Sequence, residues 1–246
     1  MPTAASSFWV KSGEPMQGWL DTLSIASLII SFLCCVFIAA DIFHGHSQQM
    51  WIMNVVWPVT ALYSGPIGLF AYFKIGRLSS NESYRQAEIQ GTRPSGITKP
   101  FWQVVAVGTM HCGSGCTLGD ICSEWLLFFV PFTIAGKMIF GAWIVDYIFA
   151  YIFGIAFQYY AIKPMRDYSV GQALAAATKA DTFSLTAWQI GMYAWMAIAT
   201  FFIFGHELEA TSPAFWFMMQ IGMLLGFLTS YPVNWWLIRR GTKEAM

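Results

Sequence analysis

The sequence predicts an all-α, polytopic membrane helix bundle, and three observations predict it. Of its 246 residues, 57% are hydrophobic and 11% charged, with a mean hydropathy of +0.53. Several apolar runs reach the ~20 residues that a helix needs to cross a ~30 Å hydrocarbon core. Basic residues gather between alternate runs, as expected of a multi-pass protein obeying the positive-inside rule. The whole chain, 1–246, reads as a single transmembrane domain whose first partner is the lipid bilayer.

Six spans are expected, over 22–43, 51–73, 101–130, 138–160, 184–204 and 215–238. In the second, Pro58, Gly65 and Pro66 predict a bent helix, because proline removes a backbone donor and crowds the preceding turn. The third is long enough for a tilted helix, a kinked one, or two half-helices broken at Gly113–Gly119. Between the fourth and fifth, Val170–Lys179 reads as a short helix in a loop. Tyr231, Trp235 and Trp236 beside Arg239 and Arg240 form an aromatic and basic interfacial anchor. Under this scheme all but Lys137 of the 13 basic residues fall on one side, which puts both termini in the cytoplasm. Met1–Glu14 lacks a basic stretch leading into an apolar core, so no removable signal peptide is expected. The predicted location is a membrane, crossed several times by the chain.

Chemistry concentrates in the third span. His111-Cys112-Gly-Ser-Gly-Cys116 joins a histidine to two thiols, which are metal-binding and redox-active groups. At four-residue steps Cys112 is followed by Cys116, Asp120 and Glu124, one polar stripe on a helix. Polar groups so deep in apolar sequence mark a functional site by default, because burying them in lipid is costly. His111, Cys112, Cys116 and Asp120 are therefore the candidate metal ligands. On a regular helix Cys112 and Cys116 stand roughly 5–6 Å apart at Cβ, too wide for the ~3.8 Å of an easy disulfide. His111 then points about 100° away from Cys112. A regular helix offers a two-cysteine half-site, whereas a broken one gathers all three groups.

Other residues extend the picture. His44 and His46 follow span one, and His206 with Glu207 follows span five, so the six-span scheme puts both clusters outside as a metal-loading site. Glu124 and Asp146 lie below the outer surface with no basic residue at similar depth, which suits charge compensation or proton coupling. Cys34 and Cys35 are secondary soft ligands in span one. Methionines at helical spacing in spans five and six fit thioether ligation as well as ordinary core packing. Gly115–Gly119 and Gly222–Gly226 are GxxxG pairs, whose expected role is close helix contact. The chain has no phosphate loop, dinucleotide fingerprint, Ser-His-Asp hydrolase signature or nucleic-acid module.

Four blocks carry a resemblance: Trp57-Pro-Val-Thr-Ala-Leu-Tyr63, Gly108-Thr-Met-His-Cys-Gly-Ser-Gly-Cys-Thr-Leu-Gly-Asp120, Gly154-Ile-Ala-Phe-Gln-Tyr-Tyr160, and Phe215 to Met246. They resemble the bacterial membrane family catalogued as domain of unknown function 4396. The family's His-Cys-Gly-Xaa-Gly-Cys-Thr-Leu-Gly-Asp element matches His111, Cys112, Cys116 and Asp120. The resemblance implies the inner (cytoplasmic) membrane of a bacterium and no defined activity.

The residues themselves point first to a membrane transporter or intramembrane binding protein for a soft or borderline transition-metal ion. Copper is the first choice and zinc the second. Two other classes stay open. One is a quinone-coupled thiol oxidoreductase using Cys112 and Cys116. The other is a structural or assembly subunit of a homo-oligomer or membrane complex.

Overall fold

The computed structural model describes residues 15–94, 96, 99–164 and 167–244, with side chains from Gly18 onward. Lys11, Glu14 and Arg166, which entered the charge scheme, lie outside the described residues, as does the Met1–Glu14 segment read for a signal peptide.

Among the described residues the fold is all-helical. The helices are α1 (Pro15–Phe43), α2 (Met53–Ser64), α3 (Pro66–Ala71), α4 (Asn81–Ile89), α5 (Phe101–Phe129), α6 (Met138–Ile162), α7 (Val170–Ile198) and α8 (Pro213–Arg239). Short π-helical turns continue α3 over Tyr72–Gly76 and α7 over Ala199–Phe204. Four segments are long and apolar enough to cross a membrane: Gly18–Phe43, Met138–Ile162, Val170–Phe204 and Pro213–Arg239. They expose large apolar side chains, including Phe32, Leu33, Ile152, Phe183, Ile190 and Leu228, the surface a lipid-facing bundle presents. Helix α5 has comparable length but carries the polar stripe.

Three expectations are corrected. The second span, 51–73, is not one continuous helix. Gly65 has φ +52°, and Pro66 occupies the first turn of α3, so the chain reverses there. Glycine enters this region without the Cβ clash other residues suffer, and a Cβ here would also lie 2.9 Å from Ser31 Oγ. The 12 residues of α2 rise about 18 Å, well short of a ~30 Å core. The return leg brings the Tyr72 hydroxyl back to Asp41, donating to its carboxylate at 2.7 Å. Trp57 and Tyr72 meet edge to face across the hairpin, with ring centroids 5.7 Å apart.

The hairpin changes which loops share an end. Near its tip, Gln220 Nε2 donates to Leu62 O (2.7 Å) and Ser31 Oγ (3.0 Å), close to the start of α8. From that level α2 runs back to Val56 O, which accepts from Ser114 Oγ at 3.1 Å. Met53 then packs in one cluster with Ala106 and Val107 near the start of α5. Residues 44–52 therefore lie with the 77–100 loop, to which Gln49 N→Ser79 O (3.1 Å) and Asn81 N→Ser47 O (2.8 Å) tie them. The end of α8 is there too, since Arg239 stacks on Phe101. The opposite end carries the 130–137 and 205–212 loops and the start of α1, where Leu20 packs against the Phe215–Trp216 cluster. The starts of α1 and the end of α8 thus lie at opposite ends of the bundle, not together.

The third span, whose length left a tilted, a kinked and a broken helix open, is continuous: α5 runs unbroken for 29 residues through Gly113–Gly119. Each glycine there costs up to about 1 kcal/mol of helix propensity relative to alanine, but neighbouring helices occupy the space that side chains would fill. The third correction is that Val170–Lys179 is not a separate loop helix: a Ser169–Gln172 capping box starts α7 there and the helix continues to Ile198.

Candidate metal centre and ion path

Two faces of α5 build the site. The first packs on antiparallel α6 through small residues in a constant register. A Cβ on Gly119 would lie 2.5 Å from Ala150 N, and one on Gly115 would lie 2.9 Å from Gly154 Cα. One turn further along α5, Ser123 Oγ donates to Asp146 Oδ1. One turn the other way, His111 meets Phe157 edge to face at 5.9 Å. The same register puts Gln158 at the level of His111. The glycine pair Gly115–Gly119 is thus a close-packing device, as its spacing predicts.

The second face carries the thiols. Cys112 and Cys116 are fully buried, one turn apart and close enough for their side chains to interact. They share a core cluster with Tyr63, Trp188 and five methionines: Met192, Met196, Met218, Met219 and Met223. Trp188 Nε1 points at Met223 Sδ, 3.4 Å away. Trp188 also fills the space beside Gly113. Thiols and thioethers thus share one water-poor core cluster, and both are donors that soft d¹⁰ ions prefer.

Asp120 follows one turn beyond Cys116. It is fully buried; Oδ1 accepts from Gln189 Nε2 at 3.4 Å, while Oδ2 and Gln189 Oε1 have no hydrogen-bond partner. Buried polar atoms without partners are uncommon and call for an occupant or a function. Glu124 and Asp146 line a cavity of about 260 Å³ together with Glu207 and Glu209. A second cavity, about 320 Å³, reaches Asp120 from between α1, α2 and α8. Met219 borders both.

The structure separates other sequence candidates from this site. His111 faces α6 rather than the thiols. Among the described residues, no three His, Cys, Asp or Glu side chains converge as a closed metal cage. His44 and His46 lie at the opposite end from His206 and Glu207, so the four do not form one loading site. The cause is the reversal at Gly65, which returns the chain to the end it left. His44 Nδ1 pairs with Ala40 O at 2.7 Å, closing α1. His46 joins a cluster in which Asp41 lies 3.3 Å from His46 Nδ1 and 3.5 Å from Arg77 Nη2. Glu207 accepts from the backbone N–H of Met138 and Ile139 at 3.3 and 3.4 Å, capping α6 at its positive end. Cys34 packs with the hairpin residues Trp57 and Tyr72, and Cys35 lies against the same cluster, away from Cys112 and Cys116. All five cysteines are free thiols.

Sequence reasoning missed four contributing residues. Gln189 and Ser123 orient the carboxylates and carry no motif. Lys243 and Asp181, assigned to exposed cytoplasmic segments, form an ion pair with side chains 0% and 2% exposed. A stripe at Asp181, Leu185, Trp188, Met192 and Met196 was the available signal, visible once α7 is extended back to Val170.

The model of the family described as "Domain of unknown function (DUF4396)" matches residues 101–243, and the chain belongs to that family. No curated protein and no solved structure matches it. The matched region spans α5 to the end of α8 and contains every element of the site except Tyr63.

Proposed function

We propose that this DUF4396 protein is a membrane transporter or intramembrane binding protein for a soft transition-metal ion, copper(I) foremost and zinc second. The observation that carries the reading is the pair of fully buried thiols one turn apart, in a core cluster that also holds five methionines. Copper(I) is satisfied by two or three sulfur donors and needs no closed cage of harder ligands. Cys112 and Cys116 serve as thiolates, with Met223 or a neighbouring thioether as a third donor. Thiols must lose protons to bind metal. Asp120, one turn along the same stripe, is placed to receive one. Asp146 and Glu124 supply negative charge in the cavity by which a cation enters.

The topology that goes with this reading has five membrane-crossing helices, α1 and α5 to α8, and one re-entrant hairpin formed by α2 and α3. Lys74, Arg77, Arg85, Arg93, Lys99, Lys163, Arg239 and Arg240 mark one end of the bundle, against Lys137 at the other. The positive-inside rule makes the first end cytoplasmic, so the acidic cavity opens outward and the start of α1 faces outside. The continuous α5 disfavours thiol–disulfide exchange, because a disulfide between Cys112 and Cys116 requires local unwinding.

The test is the metal content of protein purified in mild detergent from copper-replete cells, by plasma mass spectrometry. The reading predicts near-stoichiometric copper in the wild type and its loss in Cys112→Ser/Cys116→Ser. Wild-type protein that is folded and copper-free under these conditions sinks it.

A further inference from the structure

At the basic end of the bundle, beyond the thiols, a second polar cluster is buried between the helices, and Lys243, just past the end of α8, is part of it. Lys243 Nζ lies 3.4 Å from Asp181 Oδ1 and 3.3 Å from Ser184 Oγ. Asn234 Nδ2 donates to Ser184 Oγ at 2.7 Å and Ser230 Oγ at 2.9 Å. Around this ammonium several buried atoms have no partner: Asp181 Oδ2, Asn234 Oδ1, both amide atoms of Gln158, and His111 Nε2. A cluster that merely cemented helices together would pair such atoms, since orphaned buried polar groups are destabilising.

The cluster adjoins the thiol site. A Cβ on Gly154 would lie 2.5 Å from Asp181 Oδ2, and Gly154 itself packs on Gly115, between Cys112 and Cys116 in sequence. A turn delivers Lys243. Gly241 has φ +66°, Gly241 N donates to Ile238 O (3.0 Å) and Thr242 N to Leu237 O (3.0 Å). This Schellman ending of α8 folds the next residues back against the bundle. An ammonium that would otherwise reach the headgroup region is thereby held inside, against a carboxylate.

We propose that Lys243 is a tethered cation that occupies Asp181 and closes the basic end of the bundle over the thiols, a closure that does not rest on the soft-metal reading. An ammonium held on this carboxylate by the turn at Gly241 blocks that exit until the segment moves away.

The experiment uses full-length protein with Cys34, Cys35 and Cys122 replaced by alanine, leaving Cys112 and Cys116 as the reactive thiols. A membrane-impermeant methanethiosulfonate reagent is supplied to the basic end in inverted vesicles. In Lys243→Met, and in Asp181→Asn/Lys243→Met, which leaves no unpaired buried charge, labelling is expected to rise roughly tenfold or more with thiol access. Gly241→Val, which disfavours the left-handed turn while keeping both charges, is expected to shift labelling in the same direction. Unchanged labelling in a double variant with parental thermal stability overturns the closure and makes the pair structural. Copper measured on the same samples separates the two ideas. Faster labelling in the variants with no copper in the parent keeps the closure and removes the metal reading. Copper in the parent with labelling unchanged in the variants does the reverse.

Discussion

The two faces of α5 begin one residue apart and do opposite things. The face with Gly115 and Gly119 meets α6 backbone to backbone, and its residues leave no room for a side chain. The adjoining face, with Cys112, Cys116 and Asp120, meets methionines, a tryptophan and an amide, and its carboxylate keeps an unpartnered oxygen. One face fixes position; the other holds reactive groups at the positions so fixed. The glycines contribute to function by bringing α6, with Asp146, within hydrogen-bonding reach of Ser123.

The contrast is broken most severely by filling the glycine face. Gly119→Leu is expected to yield no folded protein in detergent size-exclusion profiles, because its side chain must displace the Ala150 backbone. Gly119→Ala and Gly115→Ala place one methyl against backbone and should cost roughly 1–3 kcal/mol, read as a lower thermal unfolding midpoint. Gly119 is the more sensitive, since its Cβ would come to 2.5 Å rather than 2.9 Å. Cys112→Ala and Cys116→Ala sharpen the comparison from the other side. Each should change stability by only about 1 kcal/mol while abolishing stoichiometric copper in the purified protein. Smallest of all, Cys34→Ala/Cys35→Ala should leave copper content unchanged, because those thiols pack on the re-entrant hairpin.

Sequence legibility followed the same division. Long helices, the contact role of Gly115–Gly119 and the bend around Pro58, Gly65 and Pro66 were readable from hydropathy and from residue geometry. The reversal at Gly65 was not. Hydropathy registers that 51–73 is apolar, yet it carries no sign for the direction in which a chain leaves a glycine of positive φ. That single residue moved His44 and His46 to the other end of the bundle and divided the expected loading site. In the site itself, the Cys112–Cys116–Asp120 stripe was legible because a helix has a fixed period. The company it keeps was legible only in part: the methionines of spans five and six showed as thioether donors, but that Met219 and Met223 on α8 and Gln189 on α7 reach the stripe depends on helix–helix registers. Lys243 was misplaced for a related reason, since a lysine beyond a helix end reads as solvated until Gly241 is seen to turn it back.

The central claim is that Cys112 and Cys116 present a sulfur-only site to a soft ion, and copper-edge X-ray absorption on the loaded wild-type protein tests it most directly. The account predicts a first shell of two or three sulfur atoms with no nitrogen or oxygen, converted to a different shell or lost altogether in Cys116→Ala. A shell dominated by nitrogen and oxygen, unchanged by Cys116→Ala, would contradict it and place the ion elsewhere in the bundle.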